Sequence, residues 1–205
     1  MPPKGEKRRQ QIIETAKNMF ITKGFQSTHI GQVCDELDIA RGTVYQYFSN
    51  KKEILYGILD NVVEALEEVL DPDDLKDFLE KKPCHDTMVK FIDDRISASL
   101  KIISDEPIII RLIFKDIAGI DEDVSEKVAE FVDNVITVIA KEIEVLCKNK
   151  IFKDNIDPEV AAATLFGGVI MTVFQYINKN KDYMDKKIAG SMSILYILGV
   201  YREDH

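Results

Sequence analysis

The chain of 205 residues has no Trp, only 3 His, 3 Cys and 6 Pro. Each shortage excludes something. Three cysteines, at 34, 84 and 147, are an odd number without repeated spacing. They make no disulfide framework, and a reducing, cytoplasmic compartment is expected. Cys84-His85 is a lone adjacent pair and Cys147 has no neighbour in Cys-x-x-Cys register, so no metal site is assigned. No Gly-x-Gly-x-x-Gly, no phosphate-binding loop and no Gly-x-Ser-x-Gly elbow occurs. No catalytic residue and no cofactor is therefore assigned, and the chain does not read as an enzyme. Long apolar runs are also missing. Ala161 to Tyr176 is the most apolar stretch, but Thr164, Thr172 and Gln175 interrupt it. It falls short of the ~18–20 residues of a membrane span and reads as a buried helix. Met1 to Gln11 is polar and basic, unlike a secretory signal.

What remains suits long helices. Apolar residues make up 45% and charged residues 31%, a soluble globular balance. No useful period-2 alternation appears, so the fold class expected is all-α. The net charge of −9 argues against nucleic acid only until its distribution is read. Residues 1–53 carry 9 Lys and Arg against 6 Asp and Glu, a net +3; residues 54–205 carry 18 against 30, a net −12. A weakly basic head precedes a strongly acidic body.

Residues 1–5 read as an arm. Ile12, Ile13, Ala16, Met19 and Phe20 recur at helical spacing in a first helix, Glu6 to Lys23, and Gly24 follows as a C-terminal stop. Ser27 and Thr28 are cap candidates for a short helix from Ile30 to Leu37. Asp38-Ile39-Ala40 is long enough only for a tight turn. A third helix is expected over Arg41 to Phe48. Ser49 or Asn50 can cap a fourth, Lys51 to Leu70, with Ile54, Leu55, Ile58, Leu59, Val62, Leu66 and Val69 inward. Further helices are expected at 73–82, 86–104, 107–118, 121–149, 157–178 and 183–201. Asp157-Pro158-Glu159 is the clearest start, a cap followed by Pro at the first helical position.

Two short helices joined by so tight a turn form a helix-turn-helix. On the third helix Val44 and Phe48 share one side, and Gly42, Thr43, Gln46 and Tyr47 lie across from them. Gly42 lets the backbone come close to DNA, and Arg41 and Thr43 can bond phosphates or base edges. Tyr45 and Tyr47 offer hydroxyls, and Lys51 and Lys52 stand within reach of phosphates. A Tyr-x-Tyr-Phe run also serves core packing, Gln46 and Lys52 also suit a solvated surface, and His29 suits either role.

The stretch from Ile12 to Leu59 resembles the N-terminal domain of the TetR/AcrR family. It has Ile12, Ala16 and Phe20 at that family's first-helix spacing, then Lys-Gly-Phe at 23–25 and Thr28 before Ile30. Gly-Thr-Val-Tyr-Gln-Tyr-Phe follows at 42–48 and Lys-Lys-Glu-Ile-Leu at 51–55. Asp38 stands where the family often has Gly, and Ala40 where it often has a hydroxylic residue. Asp tolerates a left-handed conformation, so the turn is expected to survive. Ala cannot cap by its side chain.

The resemblance implies an N-terminal three-helix helix-turn-helix domain, residues 1–52. A C-terminal ligand-binding and dimerisation bundle, residues 53–205, follows it, with the fourth helix as the link. It implies a homodimer on a pseudo-palindromic double-stranded operator, usually a repressor, answering to a small-molecule effector, with no membrane role. Phosphate contacts are implied at Thr28, Tyr45, Tyr47 and Lys51, and base or nearby contacts at Arg41, Gly42, Thr43 and Gln46. The two last helices are very apolar, and Gly167-Gly168 suits close helix approach or a plain monomer core. The family favours an intersubunit four-helix bundle there, with Phe166, Gly167, Ile170, Met192, Leu195 and Tyr196 as candidates. Phe91, Ile92, Ile113, Phe114, Phe131 and Phe174 are candidates for an apolar effector pocket. Arg111, alone in an apolar segment, needs Asp93, Asp94 or Asp116, or an anionic ligand. A helical ligand-binding dimer that no longer reads DNA is the alternative.

Overall fold

A computed structural model describes residues 4–114, 121–179 and 186–200. These form α1 (Lys4–Lys23), α2 (Ile30–Leu37), α3 (Arg41–Tyr45), α4 (Lys51–Val69) and α5 (Pro72–Glu80). They continue with α6 (His85–Ser104), α7 (Pro107–Phe114), α8 (Glu122–Lys148), α9 (Pro158–Asn178) and α10 (Lys186–Val200). Asp116, the ends of the seventh and tenth helices as expected from sequence, and the side chains of Ile188 and Leu198 lie outside the described residues.

The chain packs as two compact units. The first joins residues 1–61 to 107–128, and the second joins 62–106 to 129–205. Packing thus does not follow the single cut at residue 52 expected from the motifs. In the first unit the α1 stripe of Ile12, Ile13, Ala16, Met19 and Phe20 is buried. It meets Val33 and Cys34 of α2, Val44, Phe48, and Ile54, Leu55 and Ile58 of α4, all buried. Each such side chain contributes about 1.5–3 kcal/mol when taken from water. Helix α7 buries Ile108, Ile109, Ile110 and Leu112 in this unit and packs on α1.

Local signals decide the boundaries. Gly24 stops α1 at φ +89°, and its N–H donates to Phe20 O at 3.1 Å. Asp38 ends α2 in the left-handed region, φ 48° and ψ 53°, so the turn does survive without Gly. Ala40 opens α3 with no side-chain cap. Asn50, rather than Ser49, caps α4, its Oδ1 accepting from Lys52 N and Glu53 N. One cap differs from expectation. His29 is the cap residue of α2, its N–H donating to Gln32 Oε1 at 2.9 Å. Thr28 instead turns its hydroxyl back to Gly24 O at 2.9 Å, which keeps it out of the capping position. α3 also stops at Tyr45, short of Phe48, because Tyr47 N–H donates to Val44 O in a tighter closing turn.

In the second unit Asp71 and Asp157 cap α5 and α9, each followed by Pro at the first position. α6 packs on α10. Lys153 donates from its N–H to Val200 O and from Nζ to Gly199 O, both at 2.9 Å, which satisfies carbonyls at the end of α10.

Candidate nucleic-acid interface and cavity

The outward face of α3 is polar and bare. Arg41, Gly42, Tyr45 and Gln46 are exposed, and Tyr45 shows 54% of its surface. A Cβ at Gly42 would meet nothing within 4 Å. Thr43 and Tyr47 are half-buried, and the Tyr47 hydroxyl lies beside Gly5 of α1. The guanidinium of Arg41 lies across Gly31 of α2, where a Cβ would stand 2.9 Å from its Nη2. A shallow groove beside α3 is lined by His29, Gln32, Arg41, Tyr45, Asn50 and Lys51.

Three residues expected on the phosphates have other engagements. Thr28 is 1% exposed, so its side chain does not reach solvent. Lys51 Nζ donates to the carbonyls of Phe25 at 2.8 Å, Gln26 at 3.0 Å and Thr28 at 3.2 Å, and stands 4.7 Å from the centre of the Phe25 ring. All three of its protons go to the loop between α1 and α2, and burial lowers its pKa. Lys52 Nζ pairs with Asp121 at 2.5 Å and Asp123 at 2.9 Å, and hydrogen bonds to these two hold its pKa well above the usual value.

The second unit encloses a cavity of about 40 Å³ among α6, α8, α9 and α10. Its wall is mostly aliphatic, with Ile92, Leu100, Ile139 and Leu165, and it carries Arg95, Ser99, Glu142 and Tyr196 as polar members. Arg95 is 8% and Glu142 7% exposed. They meet twice, Nε to Oε1 at 3.0 Å and Nη2 to Oε2 at 3.1 Å, and Nη2 also donates to Asp71 O at 3.1 Å. Burial pushes the Glu142 carboxyl up, against the downward pull of Arg95. Tyr196 meets Phe152 edge to face at 6.3 Å.

Residues 12–57 match the family model described as bacterial regulatory proteins, tetR family. The stretch from α1 into α4 is thus similar to the N-terminal domain of that family. It is similar to HbdR, an HTH-type transcriptional regulator of Aromatoleum sp. (strain CIB), with 40% identity over 63 residues. That match spans 31% of this chain and only 28% of HbdR. FadR of Bacillus halodurans, a fatty acid degradation regulator, has a TM-score of 0.73 at 15% identity over 98% of this chain and 100% of that one. FadR of Bacillus subtilis in complex with stearoyl-CoA has a TM-score of 0.69 at 16% identity, over 94% and 99%. At such identities the likeness is one of fold. The described residues share that architecture, an N-terminal helix-turn-helix followed by a helical C-terminal part.

The body differs from expectation at two places. Of the seven pocket candidates only Ile92 lines the cavity. Phe91 stacks on Phe78 at 3.9 Å instead. Phe131 is buried and Phe174 half-buried, both off the lining, and Ile113, Phe114 and Arg111 belong to the first unit. Arg111 makes no pair with Asp93 or Asp94; it donates to the backbone carbonyl of Ile21, in the last turn of α1. That carbonyl sits at the negative end of the helix, a seat that suits a cation. Asp93 accepts from the Ser193 hydroxyl.

The second correction concerns the outer face of α9 and α10. Phe166 and Ile170 are each 4% exposed, and Tyr196 lines the cavity, so these three point inward. The outward strip of α9 is Val160, Ala163, Thr164, Gly167, Gly168 and Met171. On α10, Ile194 at 59% and Leu195 at 73% stand out, and Met192 is half-buried near Gly168. By length and hydropathy alone α9 could cross a membrane, a test that apolar helices of soluble proteins also pass.

Proposed function

We propose that this regulator is a homodimeric, cytoplasmic repressor of a pseudo-palindromic operator, released when a small lipophilic molecule enters the cavity of the second unit. The observation that carries the reading is the α3 face: Arg41, Gly42, Tyr45 and Gln46 exposed, with open space over Gly42. A helix so stripped can enter a major groove ~12 Å wide. Arg41, Gly42, Thr43 and Gln46 take the base edges, and Tyr45 and Tyr47 take phosphates. Thr28 and Lys51 hold the α1–α2 loop that presents them, and Lys52 reaches phosphate only by leaving its two aspartates. Residues 1–52 read DNA and residues 53–205 bind effector and partner.

The outward apolar strip of α9 and α10 supports the dimer. Exposed Val160, Met171, Ile194 and Leu195 are costly on a free surface and suit a self-complementary bundle. Two heads about 34–36 Å apart then fit successive major grooves. A molecule that prefers the body with its heads wrongly spaced weakens DNA binding by its differential affinity, roughly 5–150-fold for a coupling of about 1–3 kcal/mol. FadR of B. subtilis holds stearoyl-CoA in a similar fold, which supports a lipophilic guest.

The test is selection from a random-sequence DNA pool at two salt concentrations, with and without metabolites from a cell extract. A palindrome with half-sites about one helical turn apart is expected. No enrichment under any of these conditions sinks the reading.

A further inference from the structure

The polar groups of the cavity divide into two sets. Arg95 and Glu142 answer each other through two hydrogen bonds, and Arg95 Nη2 also donates to Asp71 O. Such a bidentate pair is strong and geometrically closed. The cation on the wall is therefore already paired with a carboxylate. The second set is different. Tyr196 Oη and Ser99 Oγ are both shielded from solvent, and neither has a hydrogen-bond partner. Both line the cavity, Ser99 from α6 and Tyr196 from α10, helices that pack together.

Buried hydroxyls are almost always bonded, so two unmet ones on one apolar cavity call for a reason. Each can donate and accept. Burial raises the Tyr196 pKa, so the phenol stays neutral and keeps its proton to give. A guest bringing one oxygen would satisfy them. A guest bringing a full negative charge would face Glu142 with Arg95 already engaged, and would lose its hydration without a counterion.

Granting that this cavity is the effector site, we infer that its effector is an uncharged apolar molecule carrying one hydrogen-bonding oxygen, an alcohol or ketone, received by Tyr196 and Ser99. An organic acid anion is not what the cavity selects. The cavity measures about 40 Å³, so its aliphatic wall must part to take a chain as long as hexan-1-ol.

The experiment titrates the full-length protein calorimetrically with hexan-1-ol, hexanoate and hexane at neutral pH. Hexan-1-ol is expected to bind about tenfold more tightly than hexane, the factor one net hydrogen bond supplies. Hexanoate is expected to bind more weakly than the alcohol. Tyr196→Phe combined with Ser99→Ala should erase the preference for alcohol over hexane and leave hexane binding intact. That double variant should melt no lower than the parent, because it removes unmet hydroxyls. Hexanoate binding as tightly as the alcohol, or a preference that survives the double variant, overturns the inference. Alcohol and hexane binding equally also overturns it while leaving the cavity as a guest site. If none of the three binds, the inference falls, while the DNA selection above decides the regulator reading separately.

Discussion

Lys51 separates two roles that a helix-turn-helix lysine can play. A phosphate contact and a loop clamp predict different measurements for Lys51→Met. In the structure its ammonium is surrounded by the carbonyls of Phe25, Gln26 and Thr28 within 3.2 Å. A hydrogen bond to a charged group is worth about 1.5–3 kcal/mol, but the three share one half-exposed cation and do not add. Their joint loss should cost about 1–3 kcal/mol. For a chain of this size that lowers Tm by roughly 2–12 °C, at about 2–4 °C per kcal/mol. The clamp neutralises no phosphate, so the slope of log affinity against log salt should stay where it was. A direct contact, one from each head of the dimer, would change that slope by roughly 1.8. The assay pairs thermal unfolding at fixed protein concentration with operator binding at several salt concentrations. A slope reduced by about two with an unchanged Tm would refute the clamp and make Lys51 a phosphate contact.

Three other outcomes are expected. In Gly31→Ala the new Cβ would press on Arg41 Nη2 at 2.9 Å, and the flexible guanidinium is what gives way. Base preference should change at one operator position without loss of Tm, since Ala favours the helix by about 1 kcal/mol; an unaltered selected sequence would detach Arg41 from base reading. Leu195→Glu puts a charge on the outward strip of α10 and should yield monomers in sedimentation, with collapsed operator affinity; an intact dimer would move the interface elsewhere. Glu142→Gln leaves the Arg95 cation buried without a counterion and should cost about 3–5 kcal/mol by urea unfolding, largely recovered by pairing Arg95→Met with Glu142→Leu. A loss under about 1 kcal/mol would mean that water or another group reaches Arg95.

The head was legible because its signals are local. Gly24, Asp38 and Asn50 set boundaries within a turn or two of themselves, and the stripes of α1 and α4 have clear polar opposites. The outer face of α9 was not legible for the converse reason. Its residues are apolar nearly all round, so no polar stripe sets the phase: Gly167 faces outward as expected, but with Met171 rather than with Phe166 and Ile170. The cavity depends on contacts between distant segments, Arg95 with Glu142 and Ser99 beside α10, which no local pattern states. A signal was nevertheless present. Met88, Ile92, Arg95, Ser99 and Ile103 form one stripe of α6, and Val135, Ile139, Glu142 and Leu146 form one of α8. Each apolar stripe is broken by one charge, and the two charges are opposite, the pattern of a buried pair. Arg111 is the more conspicuous charge because its whole segment, 108–114, is otherwise apolar.

The bond from Arg111 to the carbonyl of Ile21 joins residues 90 apart, within a unit assembled from two stretches of chain. During synthesis the helix-turn-helix leaves the ribosome long before α7. At about 5–20 residues per second the wait is roughly 5–18 s. Throughout that time the site on α1 that α7 will cover has no partner. A head cut out at residue 61 would be left permanently in that state. The nascent chain therefore completes its first unit only after all of α6 and α7 have been made.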